Sequence, residues 1–136
     1  MAADEYILAF DYGEKRVGVA VAHTIARFPR PLITLANGTS LYDDIAKIIQ
    51  DEKAKCLVVG LPRNMDGSLG PQAARCEAFG TALASLFDLP VEYVDETLSS
   101  VSAETFLGSL NGKSVGLDAV AAAVILERYL TETPGL

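Results

Sequence analysis

Two apolar runs, Tyr6–Phe10 and Val17–Ala22, stand close together near the start of the chain, and one carboxylate, Asp11, ends the first. A turn over Tyr12–Lys15 that contains Gly13 separates them. Two such runs joined by a short Gly-containing turn predict a β-hairpin. A strand that is apolar up to its last residue puts that residue at the sheet edge beside the loops, where Asp11 stays solvated while its neighbours are buried. The plain alternative is an Asp that opens a turn, a common position for it.

The rest of the chain follows from that start. A third run, Leu32–Leu35, comes after Pro29 and Pro31, which predict loose or edge pairing there. Ser40–Asp43 fits a capping box, and Leu41, Ile45, Ile48 and Ile49 carry helical spacing to about Lys53. Cys56–Leu61 is short and wholly apolar, as expected in the middle of a sheet. Pro62–Gly70 reads as a loop, and helical spacing returns through Ala73, Cys76, Phe79, Leu83 and Leu86. Leu89–Val94 predicts a last strand, followed by a short helix over about Val101–Leu110 and a final helix over about Gly116–Leu130. The predicted order is βββαβαβαα, an α/β domain with a mixed five-stranded sheet and helices on both faces.

With 136 residues, half of them hydrophobic, the chain reads as a single globular domain over 1–136. No apolar run approaches the roughly 20 residues that span a bilayer. The start, MAADEYI, lacks a basic n-region, so a cytoplasmic protein is expected. Cys56 and Cys76 read as free thiols, and the single histidine, His23, reads as a strand-end residue. A net charge of −7 argues against a broad basic face for nucleic acid. Lys15, Arg16, Arg27, Arg30 and Arg63 could still form a local basic cluster.

Acids recur where burial is otherwise expected: Asp11 at the end of the first strand, Asp95 and Glu96 at the end of the last, Asp118 on the final helix. On that helix Asp118 shares a face with Ala121, Ala122 and Ile125, small residues that allow close packing. An acid there needs a partner, or else it serves the first turn of the helix. Acids gathered at one strand end repel each other unless a cation is bound. Oxygen ligands without His or Cys suit Mg²⁺ or Mn²⁺. Two such ions can hold the attacking water and the leaving oxygen in phosphodiester hydrolysis. No P-loop and no GxGxxG after a strand is present.

Four motifs in order carry a family resemblance. Asp11-Tyr12-Gly13-x-Lys15-Arg16-x-Gly18-Val19-Ala20, Gly60-Leu61-Pro62 with Asp66-Gly67-Ser68, Asp95-Glu96-x-Leu98-Ser99-Ser100, and Asp118-Ala119-x-Ala121-Ala122 together resemble the YqgF/RuvX family. Its members are described as Holliday junction resolvases and as nucleases that mature pre-16S rRNA. The resemblance covers nearly the whole chain and implies an RNase H-like fold. It also implies a metal site of Asp11, Asp118 and an acid of the 95/96 pair. Strand parity puts Asp95 and Glu96 on opposite sides and does not choose between them; the longer side chain favours Glu96, with Asp95 bracing the loop. Lys15, Arg16 and Arg63 are then candidates to hold backbone phosphates. Thr97 stands where the family has Arg, His23 stands near a usual Asp, and the segment before Asp118 carries one Lys.

The expected function is a Mg²⁺- or Mn²⁺-dependent hydrolase, a two-metal-ion nuclease with Asp11, Glu96, Asp95 and Asp118 as catalytic residues. Its expected partner is nucleic acid, as rRNA precursor or branched DNA, and the expected state is a monomer or homodimer. Two alternatives stand beside pre-16S rRNA processing: a junction-resolving DNA nuclease, and a non-catalytic RNA- or ribosome-associated module.

Overall fold

The computed structural model describes residues 5–62, 68–95 and 116–133. Their elements are β1 (Tyr6–Tyr12), β2 (Arg16–His23), β3 (Arg30–Ala36), α1 (Leu41–Glu52), β4 (Ala54–Leu61), α2 (Pro71–Phe87), β5 (Val91–Asp95) and α3 (Leu117–Glu132). The helix expected over Val101–Leu110 lies outside the described residues. The sheet order is β3-β2-β1-β4-β5. β1, β2 and β3 form an antiparallel meander, and β4 and β5 join parallel to β1. Parallel neighbours need a crossover, and α1 and α2 supply the two.

The sheet divides the core. Leu8 and Phe10 of β1, Val17, Val19 and Val21 of β2, and Leu57, Val59 and Leu61 of β4 pack on the α1/α2 side. Ile7, Ala9, Ala20, Ala22, Val58 and Val94 pack under α3. Strand alternation produces this split. The central strands are apolar at both parities because both faces are covered, which is the continuous pattern read at Cys56–Leu61.

Local chemistry sets the boundaries. β3 is an edge strand, and its ladder with β2 shifts register between Val19 and Ala20, so that Pro31 sits at a bulge. β5 begins at Val91, two residues later than expected. Pro90 has no N–H to donate, and its carbonyl accepts from the Leu57 N–H at 2.9 Å. The capping box expected at Ser40–Asp43 does not form. Ser40 lies at φ −96°, ψ 5°, outside the extended conformation a capping serine uses, and makes no side-chain cap bond. Its hydroxyl instead meets Asp44 Oδ2 at 3.3 Å. Asp43 and Asp44 still place negative charge in the first turn of α1. Among the described residues no helix is long and apolar enough to cross a membrane.

Phe10 is fully buried and meets Phe79 of α2 edge-on, ring centres 5.7 Å apart. Truncating Phe10→Ala removes one of the aromatic contacts between β1 and α2 and leaves a cavity in the core. We expect a loss of about 3–5 kcal/mol of stability, read from the urea midpoint at unchanged m-value.

Candidate active site

Asp11 continues the parity of Ile7 and Ala9, so it stands on the α3 face of the sheet. Its partner across the β1–β2 ladder is Gly18. A Cβ on Gly18 would lie 1.8 Å from the Asp118 carbonyl oxygen and 2.7 Å from the Ala119 nitrogen. The first turn of α3 thus rests directly on the β2 backbone. A second glycine completes the seat: Gly116, the N-cap of α3, has φ +90°, and a Cβ there would come within 2.6 Å of Thr34 Oγ1 on β3. Asp118 follows in the first turn, where a carboxylate suits the helix dipole. The start of α3, with Asp118 in its first turn, therefore lies over the strand position paired with Asp11.

Arg16, the first residue of β2, reaches the same place. Its Nε donates to Asp118 Oδ2 at 2.9 Å. The Arg16 side chain is 62 % exposed and that of Asp118 30 %. An exposed pair like this stabilises the fold by about 0–1 kcal/mol, so its importance is positional.

The turn that carries Lys15 and Arg16 is fastened at several points. Gly13 N–H donates to the Arg16 carbonyl at 3.0 Å, and Asn37 N–H donates to the Lys15 carbonyl at 2.9 Å. The Asn37 side-chain amide donates to the Gly13 carbonyl at 2.8 Å. From α2, Gln72 Nε2 donates to the Tyr12 carbonyl at 2.9 Å, and Arg75 pairs with Glu14 at 3.4 Å. Asn37 and Gln72 are positioning residues that sequence reasoning missed. Nothing in one sequence signals that a side chain will satisfy a carbonyl far away in the chain.

The other candidates are placed differently. Val94 packs under α3, so Asp95 stands on the opposite face from Asp11 and Asp118. Its backbone carbonyl accepts from Arg128 Nη1 at 3.2 Å. Glu96 and Arg63 lie outside the described residues. Among the described residues no three His, Cys, Asp or Glu side chains gather as a metal-binding group.

Arg27 and Arg30, weighed from the sequence as part of a basic cluster, do not join Arg16. Arg27 lies at the opposite end of α3, where it donates to the Leu130 carbonyl and, at 3.2 Å, to that of Thr133. It satisfies the orphan carbonyls of the helix C-terminus. Arg30 opens β3 at the same far end of the sheet and pairs with Glu52 at 3.7 Å. His23 ends β2, and its Nδ1 accepts from the Ile25 and Ala26 N–H groups at 3.2 and 3.4 Å. It is a turn cap, as its strand-end reading implied. Cys56 and Cys76 are not joined in a disulfide and belong to opposite sides of the sheet. Burial, with Glu92 and Glu5 adding to it, pushes the Cys56 thiol up to about 11 despite a hydrogen bond with Tyr129. Burial likewise pushes the Tyr129 hydroxyl up to about 12.

A family model described as "RuvX: Holliday junction resolvase" matches residues 5–132. The chain belongs to the RuvX family. It is 44 % identical over 126 residues to a protein of Paraburkholderia phytofirmans, covering 91 % of this chain and 86 % of that one. It is 41 % identical over 133 residues to a protein of Bordetella parapertussis, covering 96 % and 97 %. Both relatives are named "Putative pre-16S rRNA nuclease". Among solved structures, T. thermophilus RuvC in complex with a Holliday junction substrate shares the fold, with a TM-score of 0.60 at 14 % identity over 96 % of each chain. The RuvX chain therefore has the RNase H-like fold of that resolvase and is a hydrolase of the nuclease class. Asp11 and Asp118 are hard oxygen donors, which fits the divalent metal that such nucleases need.

Two outcomes test this geometry. In Gly18→Ala the new methyl meets backbone atoms, which cannot swing aside. We expect a loss of about 1–3 kcal/mol as α3 is pushed off β2, with nuclease activity falling further than the folded fraction does. Cys56, with its raised pKa, holds about a hundredfold less thiolate than an ordinary thiol near pH 8. Its alkylation is therefore slow in the native protein and speeds up in urea. The raised pKa also means that stability is complete below the ordinary thiol pKa and falls as pH rises through about 11.

Proposed function

We propose that this RuvX-family chain is a Mg²⁺- or Mn²⁺-dependent nuclease that trims the 5′ end of a pre-16S rRNA precursor, in the cytoplasm. The observation that supports the reading is the seating of the Asp118 backbone on Gly18, the ladder partner of Asp11. Their carboxylates would hold the metal. Glu96, of opposite parity to Asp95, is assigned as the third acid, and Asp95 is assigned to bracing the loop behind it. Divalent ions held there supply activation of the attacking water and neutralise charge on the scissile phosphate. The chain's own contribution is to place that phosphate. Lys15 and Arg16 sit on a turn fixed by Asn37 and Gln72, and Arg63 is assigned to the nucleic-acid rim. The rRNA assignment follows the names of the two relatives; the junction-bound fold relative makes branched DNA the second substrate to try. The reading applies to one chain, as a monomer or as half of a homodimer.

The experiment compares cleavage of labelled pre-16S RNA and of a four-way DNA junction by wild type, Asp11→Asn and Asp118→Asn, with Mn²⁺ and with EDTA. We expect metal-dependent cleavage of the RNA, a loss of at least about a thousandfold in both variants, and melting curves near wild type. Junction cleavage alone would move the substrate to DNA. Binding of RNA without any cleavage would make the chain a ribosome-associated binding module.

A further inference from the structure

The Arg16–Asp118 pair makes one assignment conflict with another. Asp118 is proposed to hold a divalent cation, and Arg16 to hold a phosphate, yet each is engaged by the other. The bond is single-pointed, Nε to Oδ2, so both Nη groups of Arg16 remain outside it. It is also exposed enough for water and ions to reach. Pairs of that kind are weak and easily exchanged. A divalent ion on the same carboxylate would neutralise it and repel the guanidinium. A released guanidinium has the planar fork that matches phosphate oxygens.

We propose that Arg16 is an internal counter-ion, which holds Asp118 until a divalent cation arrives and is then transferred to a backbone phosphate of the nucleic acid. Metal and nucleic acid thereby bind cooperatively. This rests on the metal-nuclease reading above and adds an order of events to it. The chain's net charge of −7 gives the device a use. Without metal, the site presents acids and an occupied arginine, and it repels nucleic acid. With metal, the same site gains positive charge and frees a cation.

The test reads binding rather than turnover, by fluorescence anisotropy with a labelled RNA stem. In EDTA, Asp118→Asn should bind the stem about tenfold more tightly than wild type, because Arg16 is released. Asp11→Asn removes the same charge from the same face without releasing Arg16, and should gain only about two- to threefold. The excess of Asp118→Asn over Asp11→Asn should vanish when Arg16→Gln is added to both. With Ca²⁺ to support binding, Arg16→Gln should weaken RNA binding about tenfold, yet leave it nearly unchanged in EDTA. Calorimetry without RNA should show tighter Mn²⁺ binding to Arg16→Gln than to wild type. Equal gains from the two Asn variants, or Mn²⁺ binding that is unchanged or weaker in Arg16→Gln, overturn the counter-ion role and leave the metal-nuclease reading standing. Wild type that binds no Mn²⁺ overturns both. Melting curves for every variant exclude loss of fold as the cause.

Discussion

The close approach of α3 to β2 at Gly18 sets the position of everything else in the site. A methyl group at that position would overlap the Asp118 carbonyl, so the approach depends on the absence of a side chain. Small residues extend it along the helix, with Ala119, Ala122 and Ala123 fully buried beneath it. The helix is tied at both ends by arginines from the meander. Arg16 holds Asp118 at its start, and Arg27 holds the Leu130 and Thr133 carbonyls at its end. Two arginines eleven positions apart in sequence thus fix a helix of 16 residues, about 24 Å long, across the sheet. The orientation of Asp118 relative to Asp11 is a property of that whole seat, not of either residue.

The opposite face supplies stiffness. Tyr12, next to Asp11, has the other parity and stacks on Phe79 with ring centres 4.4 Å apart. Phe79 also meets Phe10 and Tyr42, so the aromatic cluster joins β1, α1 and α2. The residue before the turn is therefore packed into the core while its carbonyl is held by Gln72. Sites of phosphodiester chemistry need ligands held to within a fraction of an ångström, and that tolerance comes from locked supporting residues. Here Asp11 gains its rigidity from its neighbour's packing on the far side of the sheet.

Most of this architecture was legible in the sequence, because alternation and helical spacing follow directly from which faces are covered. The hairpin, the apolar β4, the edge position of β3 and the small-residue face of the last helix were all readable that way. The capping box at Ser40 was not, since its four-residue pattern says nothing about the backbone angles that decide whether the hydroxyl can reach the N–H groups. The assignment of Asp11 and Asp118 to one site came only through the family resemblance. Periodicity left Asp118 as either a buried acid or a helix-start residue, and the structure makes it a first-turn acid that is also paired. The Arg16 contact could not be read at all. It joins residues 102 positions apart and depends on a glycine whose role appears only when the helix is laid on the strand.

The distribution of cations argues for a small, conditional grip on nucleic acid. All five arginines among the described residues are engaged: Arg16 with Asp118, Arg27 with the end of α3, Arg30 with Glu52, Arg75 with Glu14, and Arg128 with Glu132 and the Asp95 carbonyl. Three of those bonds join an arginine to a glutamate, which offsets the charge of those three guanidinium groups. Proteins that bind nucleic acid tightly at any sequence do so by releasing counter-ions along a basic face, and affinity then falls steeply with salt. A chain with four of its five described arginines paired with acids gains little that way. Its affinity must come from the few groups near the candidate acids, and of the described arginines only Arg16 pairs with one of them. An ion bound at Asp118, as proposed, would alter the charge of the site and the availability of the Arg16 guanidinium in the same step. The acidic balance of the chain is then compatible with a nuclease: it disfavours binding to nucleic acid at large, and under the proposed function recognition would fall to a site completed by a metal.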